Sequence, residues 1–383
     1  MRGSLRVAIV TPRYPPAIGG VEHHVGMLAT ALARRGISVE VVATDPTGTL
    51  SPDESLDGVT VHRFPTLAND GTYFLSPGLK RWLCCNVRRF DLLHAHSYHT
   101  PLPMLAALAV RGTAIPLVLT PHFHGTGHSI FRRALHLPYR VAGAWLMSRA
   151  DAVICVSTVE GQLLERQFHV RDKLQLIPNG VDVQPLRSTS PFARIPGKTT
   201  VLAVGRLELY KHHDRLVRAL VRLPPEYEAI VIGEGPASTQ LSGLASRQGV
   251  GQRIRFLGAV SRPELLAWYR TADVFVTMSH REAFGLTLLE AALAGAPVVA
   301  SDIPAHREVS NYVPEGRVVL VNPMCSDDDL ASVIRDAARR GRLDTVDDTF
   351  TPTWEQAADR TLACYQAVVS TPDSPSRPRD LAP

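Results

Sequence analysis

The sequence predicts two α/β halves of similar size, each a parallel sheet covered by helices on both faces. Three observations carry that prediction. At 383 residues the chain exceeds the usual size of one domain. Apolar β-rich runs alternate along it with amphipathic helical stretches, the pattern of parallel sheets. The runs stay apolar at successive positions, as strands buried on two sides must.

The first half is expected over 1–183, with strands at 6–11 "RVAIVT", 39–44 "VEVVAT", 92–96 "LLHAH", 116–122 "PLVLTPH" and 152–157 "AVICVS". The run in "MRGSLRVAIV" is short and reads as the first strand rather than a secretory leader. A helix is expected over 21–36, closed by Gly36 in the usual C-terminal position. Residues 184–198, "QPLRSTSPFARIPGK", are Pro- and Ser-rich without periodicity and read as a linker. The second half, 199–352, carries strands at 200–205, 228–233, 253–258, 273–278, 297–301 and 317–321. A last helix over 353–369 is expected to pack back on the first half, before a polar, Pro-rich tail at 370–383 expected to be disordered.

Composition removes several function classes. No segment approaches the roughly 18–20 apolar residues of a membrane span. The formal charge is +5, and of 41 basic residues only Lys80, Lys173, Lys198 and Lys211 are lysines. That balance favours anionic ligands. Without a basic stripe interleaved with aromatics, nucleic acid is not an expected partner. Five scattered cysteines fit reduced thiols in a cytoplasmic protein better than a disulfide framework.

Ligands of such sheets sit beyond the carboxyl ends of the strands, so the strand-to-helix junctions are where a site is expected. At the first, Gly19 and Gly20 precede a helix; they offer free amides to an anion, or simply form a flexible entry loop. At the second, "VGRLELYKHHD", Arg206 and Lys211 suit a diphosphate, which takes both a planar fork and a point charge. A solvated surface pair is the plainer reading.

At the third, "HREAFGLTLLEAALAGAPVVAS", Glu282 sits in the loop and Glu290 eight residues on, in the helix from about Leu286. The two acids are spaced to grip two hydroxylated ends of a ligand whose middle is phosphate. Amides around Phe284, Gly285, Leu286 and Thr287 would bind that phosphate. An acidic helix start with one exposed glutamate is the alternative. "GEGPAS" offers Gly233, Glu234 and Gly235 after a strand but fails as a dinucleotide fingerprint, because Ser238 takes the last glycine's place.

Histidines cluster at His94, His96 and His99, and at His122, His124 and His128. Alternate histidines on a strand share a face, so a metal site is conceivable. No Cys or Asp completes a ligand set at familiar spacing, so no metal is expected. The preferred reading puts one imidazole of "LTPHFHG" into the cleft as a hydrogen-bonding group.

In this order the motifs, from "GGVEHHV" through "IPNGVD", "VGRLELYK" and "GEGP" to "EAFGLTLLEAALAG", resemble those of the retaining glycosyltransferases of family 4 over nearly the whole chain. The resemblance implies the GT-B fold, two Rossmann-like doubly wound domains facing across a cleft. It implies that Arg206 and Lys211 bind the diphosphate of a nucleotide-sugar donor, UDP- or GDP-linked. Glu282 would contact the transferred sugar, Glu290 the ribose, and Gly19 and Gly20 would approach the donor phosphates. His122 corresponds to the family's first-domain histidine near the reacting carbon, with His124 as competitor. Implied too are a metal-independent same-face transfer and a sugar, specialised-metabolite or lipid acceptor.

Two other readings stay open. An epimerase of the same fold would act on donor without acceptor, and a sugar-binding protein would not need the two cations at phosphate. The segment 131–150, "FRRALHLPYRVAGAWLMSRA", reads either as a buried helix with a basic edge or as a membrane-surface contact. The second would put a cytoplasmic enzyme at the inner face of the membrane.

Overall fold

The computed structural model describes residues 4–67, 74–123 and 141–370. The chain divides into two compact units, one of Met1–Asn179 with Trp354–Pro383, the other of Gly180–Thr353.

In chain order, the first unit opens with β1 (Arg6–Thr11), α1 (Gly20–Arg34), β2 (Ser38–Asp45), β3 (Asp53–Leu56), β4 (Val59–Pro65) and α2 (Pro77–Asn86). It continues with β5 (Leu92–His96), α3 (Leu102–Ala109), β6 (Leu117–Thr120), a helix α4 across 141–149, β7 (Ala152–Cys155), α5 (Thr158–Phe168) and β8 (Leu174–Leu176). The second unit holds α6 (Val183–Ser188), β9 (Thr199–Val204), α7 (His213–Arg222), β10 (Tyr227–Ile232), α8 (Ser238–Arg247), β11 (Ile254–Gly258) and α9 (Arg262–Thr271). Then come β12 (Val274–Thr277), α10 (Leu286–Leu293), β13 (Val298–Ser301), α11 (Pro304–Ser310), β14 (Val318–Val321) and α12 (Asp327–Arg340); α13 (Trp354–Ser370) belongs to the first unit.

The first sheet runs β3-β4-β2-β1-β5-β6-β7-β8, parallel except for the β3–β4 pair. Period-two alternation on β1 divides its core. Ala8 and Val10 pack among residues of α2 and α3, whereas Val7 and Ile9 pack among residues of α1 and α13. Trp354, Ala358 and Tyr365 of α13 are fully or almost fully buried there. Arg35, at the end of α1, reaches Asp359 of α13 at 2.5 Å.

The second sheet is wholly parallel, in the order β11-β10-β9-β12-β13-β14. The chain winds outward from β9 through β10 to β11, then resumes at β12 on the other side of β9. The β9/β12 boundary is therefore the switch point, where doubly wound sheets bind ligands. In the first sheet the corresponding boundary lies between β1 and β5. Helix ends follow local chemistry. Ser326 and Asp329 form a reciprocal capping box on α12, whose first turn is acidic and last turn basic.

Several expectations need correction. Residues 184–198 are not a free linker: the stretch opens inside α6, Leu186 is fully buried, and Phe192 lies 4.7 Å from the Trp268 ring. Those two apolar side chains bind a Pro- and Ser-rich segment to the second unit. The passages between units fall at Asn179/Gly180 and Thr353/Trp354. The β3–β4 hairpin, turned at Asp57 (φ 49°) and Gly58 (φ 82°), and the short β8 were not expected. Residues 371–383, residues 131–140, His124 and His128 lie outside the described residues. Within 141–149, α4 buries Leu146 and Met147 and exposes Val141. No helix among the described residues is long and apolar enough to cross a membrane.

Candidate active site

The loops after β9 and β12 stand on either side of the second sheet's switch point. After β9 the chain turns at Gly205, passes Arg206 and enters a 3₁₀ turn over Leu209–Lys211. After β12 it reaches Ser279 and Glu282, then enters α10. Lys211 Nζ donates to Glu282 Oε1 at 2.6 Å, and both side chains are 15 % exposed. Burial opposes the Lys211 charge most strongly, but the Glu282 carboxylate with help from Tyr210 holds the ammonium above its ordinary pKa. Burial likewise works against the Glu282 charge, yet Lys211 with help from His306 and Ser279 keeps the carboxyl below its usual value. Both groups are therefore ionised at neutral pH.

Arg206 behaves differently. Its side chain is 55 % exposed and pairs with Glu208 at 3.2 Å. Exposed pairs of this kind contribute about 0–1 kcal/mol, so the guanidinium is easily redirected.

The "GEGP" turn owes its glycines to close packing. A Cβ on Gly233 (φ 134°) would fall 2.1 Å from the Gly205 carbonyl oxygen, and one on Gly235 would fall 2.4 Å from that of Leu207. Hydrogen bonds from Gly205 N to Ile232 O (2.9 Å) and Leu207 N to Glu234 O (2.8 Å) tie the two loops together. Gly233 and Gly235 thus let two backbones touch, which accounts for them without a ligand.

Gly285 begins α10 at φ 109°, where a Cβ is strained, and no side chain caps the first amides of that helix. His306 of α11 stands behind it, its ring carbon 3.4 Å from where a Gly285 Cβ would lie. His306 Nδ1–H donates to the Ser301 carbonyl at 2.8 Å, and burial lowers its pKa.

Glu290 is not an exposed helical acid. It is 2 % exposed and accepts from Arg262 Nη2 at 2.5 Å. Burial and the Glu290 charge together push the Tyr269 hydroxyl pKa well above its usual value. The two acids of the segment 280–301 thus each have their own cation, Lys211 for Glu282 and Arg262 for Glu290. Sequence reasoning missed Arg262, Tyr269 and His306, whose roles depend on contacts between separate elements.

In the first unit Gly19 and Gly20 begin α1, with Glu22 at Gly19: its Oε2 is 2.1 Å from where a Gly19 Cβ would lie. Arg13 donates to Glu22 at 2.7 Å. An acid from within the chain therefore lies against Gly19. His122 follows β6 in a left-handed conformation (φ 50°). The loop that carries it is held by buried Glu160, which accepts from the amides of Phe123 (2.5 Å) and Val156 (2.7 Å). His94 shares its strand face with His96, their ring centroids 4.1 Å apart. His94 is spent on structure, bonded to Tyr365 Oη and Thr120 Oγ1 at 2.7 Å each.

A family model described as Glycosyltransferase Family 4 matches residues 18–185, and one described as Glycosyl transferases group 1 matches 189–344. A glycogen synthase of Mycobacterium tuberculosis is 32 % identical over 410 aligned residues, covering 95 % of each chain. A phosphatidyl-myo-inositol mannosyltransferase of the same species is 30 % identical over 83 % of each. Among solved structures, sucrose-phosphate synthase from Thermosynechococcus elongatus superposes with a TM-score of 0.72 at 22 % identity, covering 95 % of this chain and 96 % of that one. HepE of Anabaena, in complex with UDP-glucose, gives 0.69 at 19 %, covering 97 % and 98 %. At those identities the likeness establishes the fold, which is GT-B.

Proposed function

The chain belongs to glycosyltransferase family 4, and on that premise we propose that it moves a sugar from a nucleoside diphosphate to an acceptor hydroxyl with retention of the anomeric configuration. The Lys211–Glu282 pair at the switch point is the observation that carries this reading. An ammonium offers three donors and Glu282 takes one, leaving two for diphosphate oxygens. Arg206, bound only by a weak surface pair, supplies a guanidinium fork. The uncapped amides from Phe284 to Thr287 add donors that need not reorganise.

In the transfer, the bond from the anomeric carbon to the diphosphate oxygen breaks with its electron pair leaving on oxygen. The acceptor oxygen bonds to that carbon on the same face. Its proton passes to the departing phosphate oxygen. Charge accumulating on the diphosphate is what Lys211, Arg206 and the α10 amides stabilise, so this reading asks for no metal at the diphosphate. Glu282 is assigned to hydroxyls of the transferred sugar and Glu290 to the ribose. His122 is assigned to the transferred sugar on its motif alone, as Gly19 and Gly20 are to the donor phosphates.

A uridine or guanosine diphosphate is the proposed carrier; the relative HepE is known with UDP-glucose. Relatives named for glycogen, D-inositol 3-phosphate and phosphatidyl-myo-inositol share one acceptor chemistry, a hydroxyl on a polyol or sugar. The test is a thermal-shift panel of UDP, GDP, ADP and dTDP, followed by transfer assays with the matching sugar donors. One diphosphate should stabilise the protein and its sugar donor should be consumed faster when an acceptor is added. Consumption indifferent to any acceptor, or no stabilisation by any of the four, would overturn the reading.

A further inference from the structure

Three imidazoles from separate elements of the first unit converge. His24 stands on α1, His96 ends β5 and His122 follows β6, with one ring nitrogen of each within 4.8 Å of the others. The site lies at the β1/β5 switch of the first sheet, and the other buried histidine among the described residues of that unit, His94, already has partners on both nitrogens.

Two features distinguish the trio from packed core histidines. Nε2 of His24 is buried without a hydrogen-bond partner, in a residue 5 % exposed. A buried polar atom left in that state is costly, so such atoms are normally satisfied. Moreover, His24 is held as a ligand would be. Its Nδ1–H donates to Asn179 Oδ1 at 2.7 Å, which fixes the ring and leaves the lone pair on Nε2. Burial keeps His24 and His96 neutral, the form in which imidazole binds metal.

The spacing is suitable. His96 Nδ1 and His122 Nε2 share a hydrogen-bond contact at 3.3 Å that an ion would replace, and their separation is about that of two nitrogens each 2.0–2.1 Å from a tetrahedral ion. One nitrogen of each ring lies within 4.8 Å of the others, so no pair of these has to close by more than roughly 1.5 Å to reach tetrahedral geometry.

We propose that His24, His96 and His122 form a site for one divalent transition-metal ion of the imidazole-preferring class, zinc foremost. Three neutral nitrogens without a carboxylate disfavour magnesium and calcium, which take oxygen ligands. An ion there takes a ring nitrogen of His122, so metal occupancy competes with the role proposed for His122 in transfer. The inhibition that follows rests on the role proposed for His122; the binding itself does not.

The experiment uses the full chain, stripped with EDTA and titrated with cobalt(II), then with zinc against a chromophoric chelator. One cobalt per chain is expected, with visible ligand-field bands and no thiolate charge-transfer absorption. His24→Gln and His96→Gln should abolish those bands while keeping the circular dichroism of the parent. Asn179→Ala, which leaves all three ligands in place, should weaken zinc about 10–100-fold. Replacing the exposed Cys84 and Cys85 by serine should change nothing. A thiolate band, undiminished binding in a folded His24→Gln protein, or failure of the parent to bind cobalt or zinc would overturn the proposal. If cobalt binds with the expected spectrum and one equivalent of zinc binds in the chelator titration, yet transfer is unchanged by zinc, the metal site stands and the role given to His122 falls.

Discussion

Lys211 Nζ and Glu282 Oε1 meet at 2.6 Å although 71 residues separate them in the chain. They come from the segments that follow β9 and β12, strands that are neighbours in the sheet and whose onward connections run to opposite edges of it. The fold thus places a nearly buried ion pair where such sheets bind ligands. Its charges survive burial because each supports the other.

Removing one partner strands the other. Lys211→Ala and Glu282→Ala should each destabilise the second unit by about 3–5 kcal/mol. The double Lys211→Met/Glu282→Leu change should cost less than either single change, since no charge is left unpaired. Transfer should nevertheless fall at least ~100-fold in all three, because one preorganised electrostatic partner is gone. Urea melts and steady-state assays on the same preparations separate the two effects.

Glu290 and Arg262 form a second pair, more lopsided in burial, at 3 % and 34 % side-chain exposure. Arg262→Met should lower stability by about 3 kcal/mol by leaving the carboxylate alone. Glu290→Gln keeps an acceptor for Arg262 and should melt within a few degrees of the parent. If Glu290 holds the ribose, Glu290→Gln raises KM for the donor with a smaller effect on kcat. Thermal melts and donor saturation curves provide both numbers.

The glycines make opposite predictions. Gly233→Ala places a Cβ against the Gly205 carbonyl at a φ that side chains rarely adopt, so about 3 kcal/mol or more should be lost. Nothing lies within 4 Å of a Cβ on Gly20, so Gly20→Ala should be neutral, or stabilise by a few tenths to about 1 kcal/mol. Donor affinity that stays unchanged in Gly20→Ala would argue against close approach of phosphate at that position.

Acid should destabilise the first unit. Burial lowers the pKa of His24 to about 4 and of His94 to about 3, and moves His96 in the same direction. The unfolded chain takes up protons near pH 6.5 that the folded one refuses, so stability is present above that value and lost below it. Each such histidine contributes about 1.4 kcal/mol per pH unit in the window. Glu160, raised by burial to about 7, acts in the opposite sense between pH 4.5 and 7, because the fold keeps a proton that the unfolded chain releases. Three histidines against one acid leave a net loss towards acid. Glu160→Gln should remove the opposing contribution and steepen the decline, read from denaturation midpoints across pH 7 to 5.

Much of the fold was legible because buried parallel strands are written as apolar runs, as "RVAIVT" and "DVFVTM" are. The strand Asp53–Leu56 was not, since an antiparallel edge strand carrying Asp53 and Glu54 has no such run. The segment 184–198 misled because Leu186 and Phe192, two apolar residues among prolines and serines, decide where it lies. At the site, Glu282, Lys211 and Gly285 could be singled out from their places after strands. That Glu282 belongs to Lys211 and Glu290 to Arg262 could not, because spacing along one segment carries no information about cations on other elements. His24 was overlooked for the same reason: its companions stand on β5 and after β6.

The most direct test of the central claim is a calorimetric titration of the nucleoside diphosphate that gives the largest thermal shift, against its parent nucleoside, on the native chain and on Lys211→Met. The account predicts that the diphosphate binds at least ~10-fold more tightly than the nucleoside, and that Lys211→Met abolishes most of that difference. A folded Lys211→Met protein that kept the full preference for the diphosphate would contradict it.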